Sequence, residues 1–595
     1  MGAFKEDSSF WTVLFYFLVL WYIVIPVYFQ RFLNFLNKWA LLKPPSWTDA
    51  AVLSLFTVVA TLHPFFTEGD INFFEAGLYL PGINAILDGL VPYRDFFYLR
   101  GPFELYMPAF LMSVWGQDLT VLYVYFYAGN VLCLVMGVLI AKELFRTRLI
   151  LYLMVPVLVA RAFPRVMFMI WGGMRYAFGL IVLWCFIKFL KRQRLIWMLA
   201  AGVFSGFGLW TSVEIGVYAI CGVVAALAAA FIFKVQQKRA LIKALAVYLA
   251  GIFLASLPFL LYLISHQAFV PYLECVRAVV FNMQKVIDPH FASVYPSNLY
   301  EAVSAMINPL SKNFRHMTVS YLYLAVLGYV IYRIRAKRLN TTDLFVIAAG
   351  VYGFIMYNTG FRGIWTAHFE LSLQPEKILY FFILETVLLY GLAKRETFLR
   401  FKVWLVDLFI ITLCLSSLIY MIGRYDHRFY VFKYIRSVVQ GRETNRLRPL
   451  AKEPSRPLTI ERARGIVAPV QQADDIEAVV HFIQKNTKPG EAVFTYPELG
   501  AYHFLADRPF VGRFPIATFS WFEDRWHQEL MADLKKSRPR YIILTKEFQE
   551  GWKTVYLALE QNRRKFKDVM DFIHHDYEIR NETPLSYIYE LKKNR

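Results

Sequence analysis

The chain has 595 residues, of which 57% are hydrophobic, 18% aromatic and only 18% charged. Apolar runs that approach or exceed the ~20 residues needed to cross a bilayer exclude an ordinary soluble enzyme and predict a polytopic α-helical membrane protein. The formal charge of +20 gathers in short loops between those runs, where membrane topology puts it, so nucleic acid is not an expected partner.

In chain order, the first apolar run, 10–28, lacks a basic leader and a small-residue cleavage site, and reads as a retained helix. Further runs fall at 48–66, 121–141, 148–163, 172–190, 195–212, 213–233, 241–264, 318–334, 342–357, 376–393 and 401–421. This predicts about twelve crossings. Basic clusters separate them: Arg31/Lys38/Lys43, Lys142/Arg146/Arg148, Lys188/Lys191/Arg192/Arg194, Lys234/Lys238/Arg239, Arg333/Arg335/Lys337/Arg338 and Lys394/Arg395/Arg400/Lys402. If each run crosses once, all these clusters share one side, which the positive-inside bias makes cytoplasmic. The short apolar segment 102–116 keeps that count when read as a re-entrant or interfacial helix. The five cysteines show neither CxxC spacing nor a disulfide pattern.

Facing outward are then 67–120, 160–171, 265–317, 358–375 and everything after about residue 422. The first of these loops holds Glu68, Asp70, Glu75, Asp88, Asp95 and Glu104 within a few tens of residues. Its early part reads as an amphipathic helix with Phe73, Phe74, Leu78, Ile83, Ile86 and Leu87 on the membrane interface and Asp70, Glu75 and Asp88 opposite. "RDFFYLRGP" then sets Arg94 and Arg100 around Asp95. Arginines grip phosphate, and a carboxylate accepts a proton from an attacking hydroxyl or holds a divalent cation. The bland alternative is a solvated acidic loop with surface ion pairs of little energetic worth.

One helix, then acidic residues, an aromatic, "GLVPYRDFFYLRGP" and a short apolar helix together resemble the GT-C superfamily of integral-membrane glycosyltransferases. That superfamily includes bacterial relatives of the protein O-mannosyltransferases and the lipid A aminoarabinose transferases. The local match covers about residues 50–145. The resemblance implies transfer of a sugar from a polyprenyl-phosphate donor to a lipid, glycan or protein acceptor, on the outer face of a bacterial inner membrane. It also implies an acidic residue of the first outer loop as general base or metal ligand. Asp70 fits by residue type and position after the helix, and Glu75 fits by spacing to Tyr79, Gly89 and Pro92. Asp70 is preferred, with Glu75 close behind.

Beyond that loop, Arg165 and Arg175 (with Arg161) surround the second outer loop, where an acidic residue common in relatives is missing. Its absence favours arginines, rather than a metal, countering the leaving phosphate, although a divalent cation is left open. Arg362, His368 and Glu370 form a compact late-loop group suited to phosphate contact or proton relay. Glu214, near an outer turn, is a further ionisable candidate.

The domain division expected is a membrane core over 1–421, a basic linker over 422–470 and an outer α/β domain over 471–595. In the last, "ADDIEAVVHFIQKNT" has helical periodicity, while "EAVFTYP" and "PRYIILTK" read as buried strands. It carries neither a phosphate-binding glycine loop nor a nucleophile elbow. A transporter or flippase of lipid-linked sugars, or a non-catalytic membrane scaffold, are the rival functions, although matched internal halves typical of transporters are not seen.

Overall fold

The computed structural model describes residues 37–38, 40–62, 65–160, 173–286, 314–361, 375–393, 438–440, 453–546, 548, 553 and 556–593. The first part is a helix bundle. It comprises α1 (Trp47–Thr61), α2 (Phe73–Leu87), α3 (Phe103–Trp115), α4 (Leu119–Leu144), α5 (Arg148–Ala160), α6 (Met174–Arg192) and α7 (Leu195–Thr211). It continues through α8 (Val213–Ile232), α9 (Lys238–Ser265), α10 (Phe269–Val286), α11 (Phe314–Arg335), α12 (Thr341–Phe361) and α13 (Glu376–Ala393). Each apolar run predicted between 48 and 393 forms the body of one of these helices, and the runs 10–28 and 401–421 lie outside the described residues.

Among the described residues, α4, α8 and α9 are long and apolar enough to cross a membrane, so the expected number of crossings is not reached on these criteria. Length accounts for part of the difference: α1, α5 and α7 are apolar but shorter than a full span. Helix α9 exposes Ile242, Leu249, Phe253, Leu254, Leu261 and Ile264. So much apolar side chain facing outward on one long helix suits lipid and not water.

Helix α4 shows how the two ends of the bundle differ. Its 26 residues extend roughly 39 Å at ~1.5 Å per residue, about the thickness of a bilayer. At its C-terminal end Glu143 is buried and paired with Lys188 at 2.7 Å, Lys142 at 3.1 Å and Lys191 at 3.2 Å. Nearby, Arg148 pairs with Asp49 at 2.9 Å, and the Glu385 carboxylate accepts from the backbone N–H groups of Arg146 and Thr147. The first basic loops therefore gather at one end. At its N-terminal end, Asp118 caps the helix by accepting from Thr120 N, and the Thr120 hydroxyl donates to the Arg464 carbonyl. The C-terminal domain thus sits at the end opposite the basic loops.

That domain opens with an antiparallel hairpin of β1 (Ser455–Pro457) and β2 (Val467–Pro469). It continues through α14 (Val470–Asn486), β3 (Phe494–Tyr496), α15 (Ala501–Leu505), α16 (Asp524–Ser537), β4 (Tyr541–Thr545), α17 (Glu560–Asp576), β5 (Tyr577–Glu582) and β6 (Ser586–Leu591). The four-stranded sheet has the order β3-β4-β6-β5, with β3 and β4 parallel and the other pairs antiparallel. Both predicted strands and the predicted helix are present as β3, β4 and α14. The last part of the expected linker carries both strands of this hairpin. Its strand β2 joins the first loop, with Gly69 N donating to Val467 O and Val467 N to Thr67 O.

Helix α2 differs from expectation. It does not lie on the membrane interface as an amphipathic helix, because every residue from Glu75 to Ala85 is buried. The C-terminal domain covers the face expected to meet lipid. Phe73 packs on Tyr502 and Phe74 on Phe519. Gly77 lies so close to Gly500 that an added Cβ would come within 3.1 Å of its Cα. Farther along the loop, Phe97 inserts among Phe514, Phe519, Phe522 and Trp526, while its N–H donates to Arg513 O.

Single cysteines at the exposed positions Lys488 and Arg192 test this two-ended arrangement. In intact cells an impermeant thiol reagent should label the Lys488→Cys chain and reach the Arg192→Cys chain only after permeabilisation. Labelling of both from one side would contradict it.

Candidate active site

The "GLVPYRDFFYLRGP" segment folds by satisfying itself. Tyr93 adopts a positive φ of 71°, and its hydroxyl donates to the Arg100 carbonyl at 2.5 Å. The Asp95 carboxylate accepts from Val91 N at 2.7 Å and from Arg94 Nε and Nη2 at 2.8 and 2.7 Å. The hydrogen bond from Arg94 holds the Asp95 carboxyl below its ordinary value against a smaller opposing effect of burial. Arg94 and Asp95 are thus occupied in closing the turn. Gly101 is required by close approach, since a Cβ there would lie 2.0 Å from the Trp210 carbonyl oxygen. That contact presses the loop onto the end of α7 and fixes the entry of α3.

The turn delivers Arg100 and Glu104 into a buried space that α2 and α6 share. Glu75 on α2 is 6% exposed, Glu104 on α3 is 0% and Arg175 on α6 is 5%. Arg100 is half-buried, and its Nη1 is buried. Its guanidinium stacks 5.1 Å from the Tyr79 ring centroid, and that of Arg175 lies 4.6 Å from the Tyr176 ring. The Tyr79 hydroxyl donates to Glu104 Oε1 at 3.3 Å. Arg100 and Arg175 each feel the charges of both Glu75 and Glu104, and Glu214 on α8 acts on Arg175 and Glu104.

Three polar atoms in this space, Glu104 Oε2, Arg100 Nη1 and Arg175 Nε, have no hydrogen-bond partner among the described residues. Buried polar atoms are ordinarily satisfied, and unsatisfied ones together in a charged space mark a place for a polar ligand. Burial is the largest influence on Glu104 and pushes its carboxyl up to about 7, against the attraction of Arg175 and Arg100. Burial also lowers Arg100 from its ordinary value, with the like charge of Arg175 adding to the effect.

Of the residues singled out in the sequence, Glu75, Arg100 and Arg175 meet here. Asp70, the preferred base, is exposed at the loop entrance. Arg165, Arg362, His368 and Glu370 lie outside the described residues. Glu104 was counted among the loop's carboxylates but given no role. Its signal was an acidic residue in the first turn of an otherwise apolar helix that follows Arg100, Gly101 and Pro102. Among the described residues no group of three or more His, Cys, Asp or Glu is placed to hold a metal ion.

No family profile matches the chain, and no curated protein sequence matches it. Its fold is similar to the crystal structure of ArnT from Cupriavidus metallidurans bound to undecaprenyl phosphate, with a TM-score of 0.49 and 10% identity, covering 92% of this chain and 98% of that one. It is also similar to the archaeal oligosaccharyltransferase AglB from Archaeoglobus fulgidus in complex with an inhibitory peptide and a dolichol-phosphate. There the TM-score is 0.46 and the identity 12%, covering 84% of this chain and 69% of that one. Similarity at this level assigns no role to any residue, and the roles below rest on the site itself.

The raised carboxyl of Glu104 has a consequence for stability. Its value in the folded chain lies above that of an unfolded glutamate, so the folded state holds the proton more tightly. Its contribution is complete below the unfolded value of about 4.5 and is lost as pH rises through about 7. The melting temperature of the purified protein should therefore fall as pH rises from about 4.5 to about 7, and Glu104→Gln should flatten that slope. A wild-type slope unchanged by the substitution would contradict the assignment.

Proposed function

We propose that the chain is a GT-C-like membrane glycosyltransferase. It moves a sugar from a polyprenyl-phosphate donor to a hydroxyl of a lipid, glycan or protein acceptor. The observation that carries this reading is the buried group of Glu75, Glu104, Arg100 and Arg175, placed at the bundle end opposite the basic loops. The resemblance of the "PYRDF…GP" loop to that superfamily supports it, since this loop builds the site. The loop charges argue that the site faces outward, on the extracytoplasmic side of a bacterial inner membrane.

Arg100 and Arg175 hold the phosphate of the donor through charge-assisted hydrogen bonds, among them from Arg100 Nη1 and Arg175 Nε, buried atoms without a partner among the described residues. The acceptor oxygen attacks the anomeric carbon, its proton passes to the Glu75 carboxylate, and the bond from that carbon to the phosphate oxygen breaks. The electron pair leaves with the polyprenyl phosphate, whose charge the two arginines already neutralise. A single displacement inverts the anomeric configuration. Glu75 takes the role of base in preference to Asp70 because it is inside the group that would hold the donor. Glu104, hydrogen-bonded by Tyr79, balances the arginines when the site is empty. The described residues do not assemble a metal site, and no step here runs through a cation.

Single-turnover transfer from a synthetic polyprenyl-phosphate sugar, with an extract of cells lacking this chain as acceptor, tests the assignment. Glu75→Gln should lower the rate by ~100- to 10,000-fold, whereas Asp70→Asn should change it little. Arg100→Ala should weaken binding of the donor itself, since a charge-assisted contact is lost. Full activity of the Glu75 variant, or a product with retained configuration, would remove this mechanism. Movement of the intact lipid-linked sugar across vesicles without transfer would replace the enzyme by a transporter.

A further inference from the structure

Helix α9 ends at Ser265, at the bundle end opposite the basic loops, and α10 follows after a tight turn. In that turn Gln267 takes a positive φ of 56°, and Ala268 N donates to Leu263 O at 2.7 Å. Arg94 of the site loop donates to the His266 carbonyl at 3.2 Å and ties the turn to the loop. The two sides of α10 differ. Tyr272, Cys275 and Ala278 are buried. The Tyr272 ring lies 5.0 Å from that of Tyr93 in the site loop and 5.3 Å from that of Trp210 at the end of α7. The helix also packs on the turn Ala517–Phe522 of the C-terminal domain, and the Val286 carbonyl at its end accepts from the Asn562 side chain at 2.7 Å. The other side carries Val270, Leu273, Arg277, Val280 and Phe281, all exposed, with Phe281 at 72%.

We propose that the exposed side of α10 lies on the lipid of the outer leaflet and seats the C-terminal domain on the membrane surface. Four of its five exposed residues are apolar, and their spacing puts them on one face of the helix. That face continues the lipid-facing row of α9. Leu261 and Ile264 are exposed just before the turn, and Val270 and Leu273 just after it. The continuity singles out lipid as the occupant, since the row on α9 has no other neighbour to meet. The charged residues fit the same placement. Glu274 pairs with Arg525 at 3.3 Å, Arg525 with Glu523 at 2.5 Å, and Arg277 reaches toward Glu523 at 3.6 Å. This ladder joins α10 to the start of α16 and marks the edge of the helix that meets water. Arg277 stands within the apolar face. Its stem lies along the lipid while its guanidinium turns to the domain, as long basic side chains do at a membrane surface. With lipid on one side and the domain and site loop on the other, α10 ties the position of the domain to the membrane. Nothing in this seating depends on which reaction the site performs.

The test uses the full chain in nanodiscs of phosphatidylethanolamine and phosphatidylglycerol, with the photoreactive residue benzoylphenylalanine placed singly at Val270, Phe281, Leu261 or Lys488. All four positions are exposed, so the larger side chain has room and each variant should fold. After irradiation, the intact mass should rise by one phospholipid for positions 270 and 281, as for 261 on α9, and should not rise for 488 on the domain. Absence of the lipid adduct at 270 and 281 while 261 carries it would leave the face to water and overturn the proposal. A cross-linked pair of chains from 270 or 281 would give the face to a second copy and overturn it as well.

Discussion

Two carboxylates and two guanidinium groups share a buried space at one end of the helix bundle, where burial penalises the charged forms of Glu104 and Arg100 and the opposite charges around them offset part of that penalty. Desolvating an isolated charge costs several kcal/mol, and stripping one partner from a buried pair typically costs ~3–5 kcal/mol. Much of the surrounding architecture is what keeps these four groups together. Gly101 lets the loop close on the carbonyl of Trp210, the Arg94–Asp95 turn aims Arg100 inward, and α3 begins where Glu104 must point. A charged group assembled this way, with donor and acceptor atoms left over, is a poor way to stabilise a fold and a good way to bind a phosphate and take a proton.

The same space explains the C-terminal domain. A site open to bulk water would lose much of its electrostatic strength, because charge interactions weaken as the effective dielectric rises. Here the domain seals α2 from above. Val467 pairs with the first loop, Gly500 meets Gly77, and a cluster of aromatic rings from the domain surrounds Phe97. Arg462 adds a polar clasp at the edge, donating to Asn84, to Gln117 and to the Phe504 carbonyl. The opposite end of the bundle is held by ion pairs of another kind, centred on Glu143 and its three lysines, which hold the basic loops roughly a bilayer thickness away.

The helices were legible because hydrophobic runs and loop charge are local signals, and each run from 48 to 393 became a helix. So were β3 and β4, short continuously buried apolar runs after turn residues, and α14, with its own helical periodicity. Helix α2 was misread for a physical reason. Its apolar face looks the same whether lipid or protein covers it, and the protein that covers it lies some four hundred residues later in the chain. The choice between Asp70 and Glu75 was open for the same reason, since position after a helix says nothing about which carboxylate a distant domain will bury. Glu104 was visible as an acidic residue in an apolar helix, yet only the arrival of Arg100 and Arg175 beside it shows why it is there.

The central claim is that a lipid-linked sugar reacts in the space between Glu75 and the two arginines. The most direct measurement is a structure of the Glu75→Gln chain in lipid nanodiscs with a non-hydrolysable polyprenyl-phosphonate sugar bound. The account predicts the phosphonate within hydrogen-bond distance of Arg100 and Arg175, and the anomeric carbon facing residue 75. A ligand seated at the basic end of the bundle, or held away from both arginines, would contradict it.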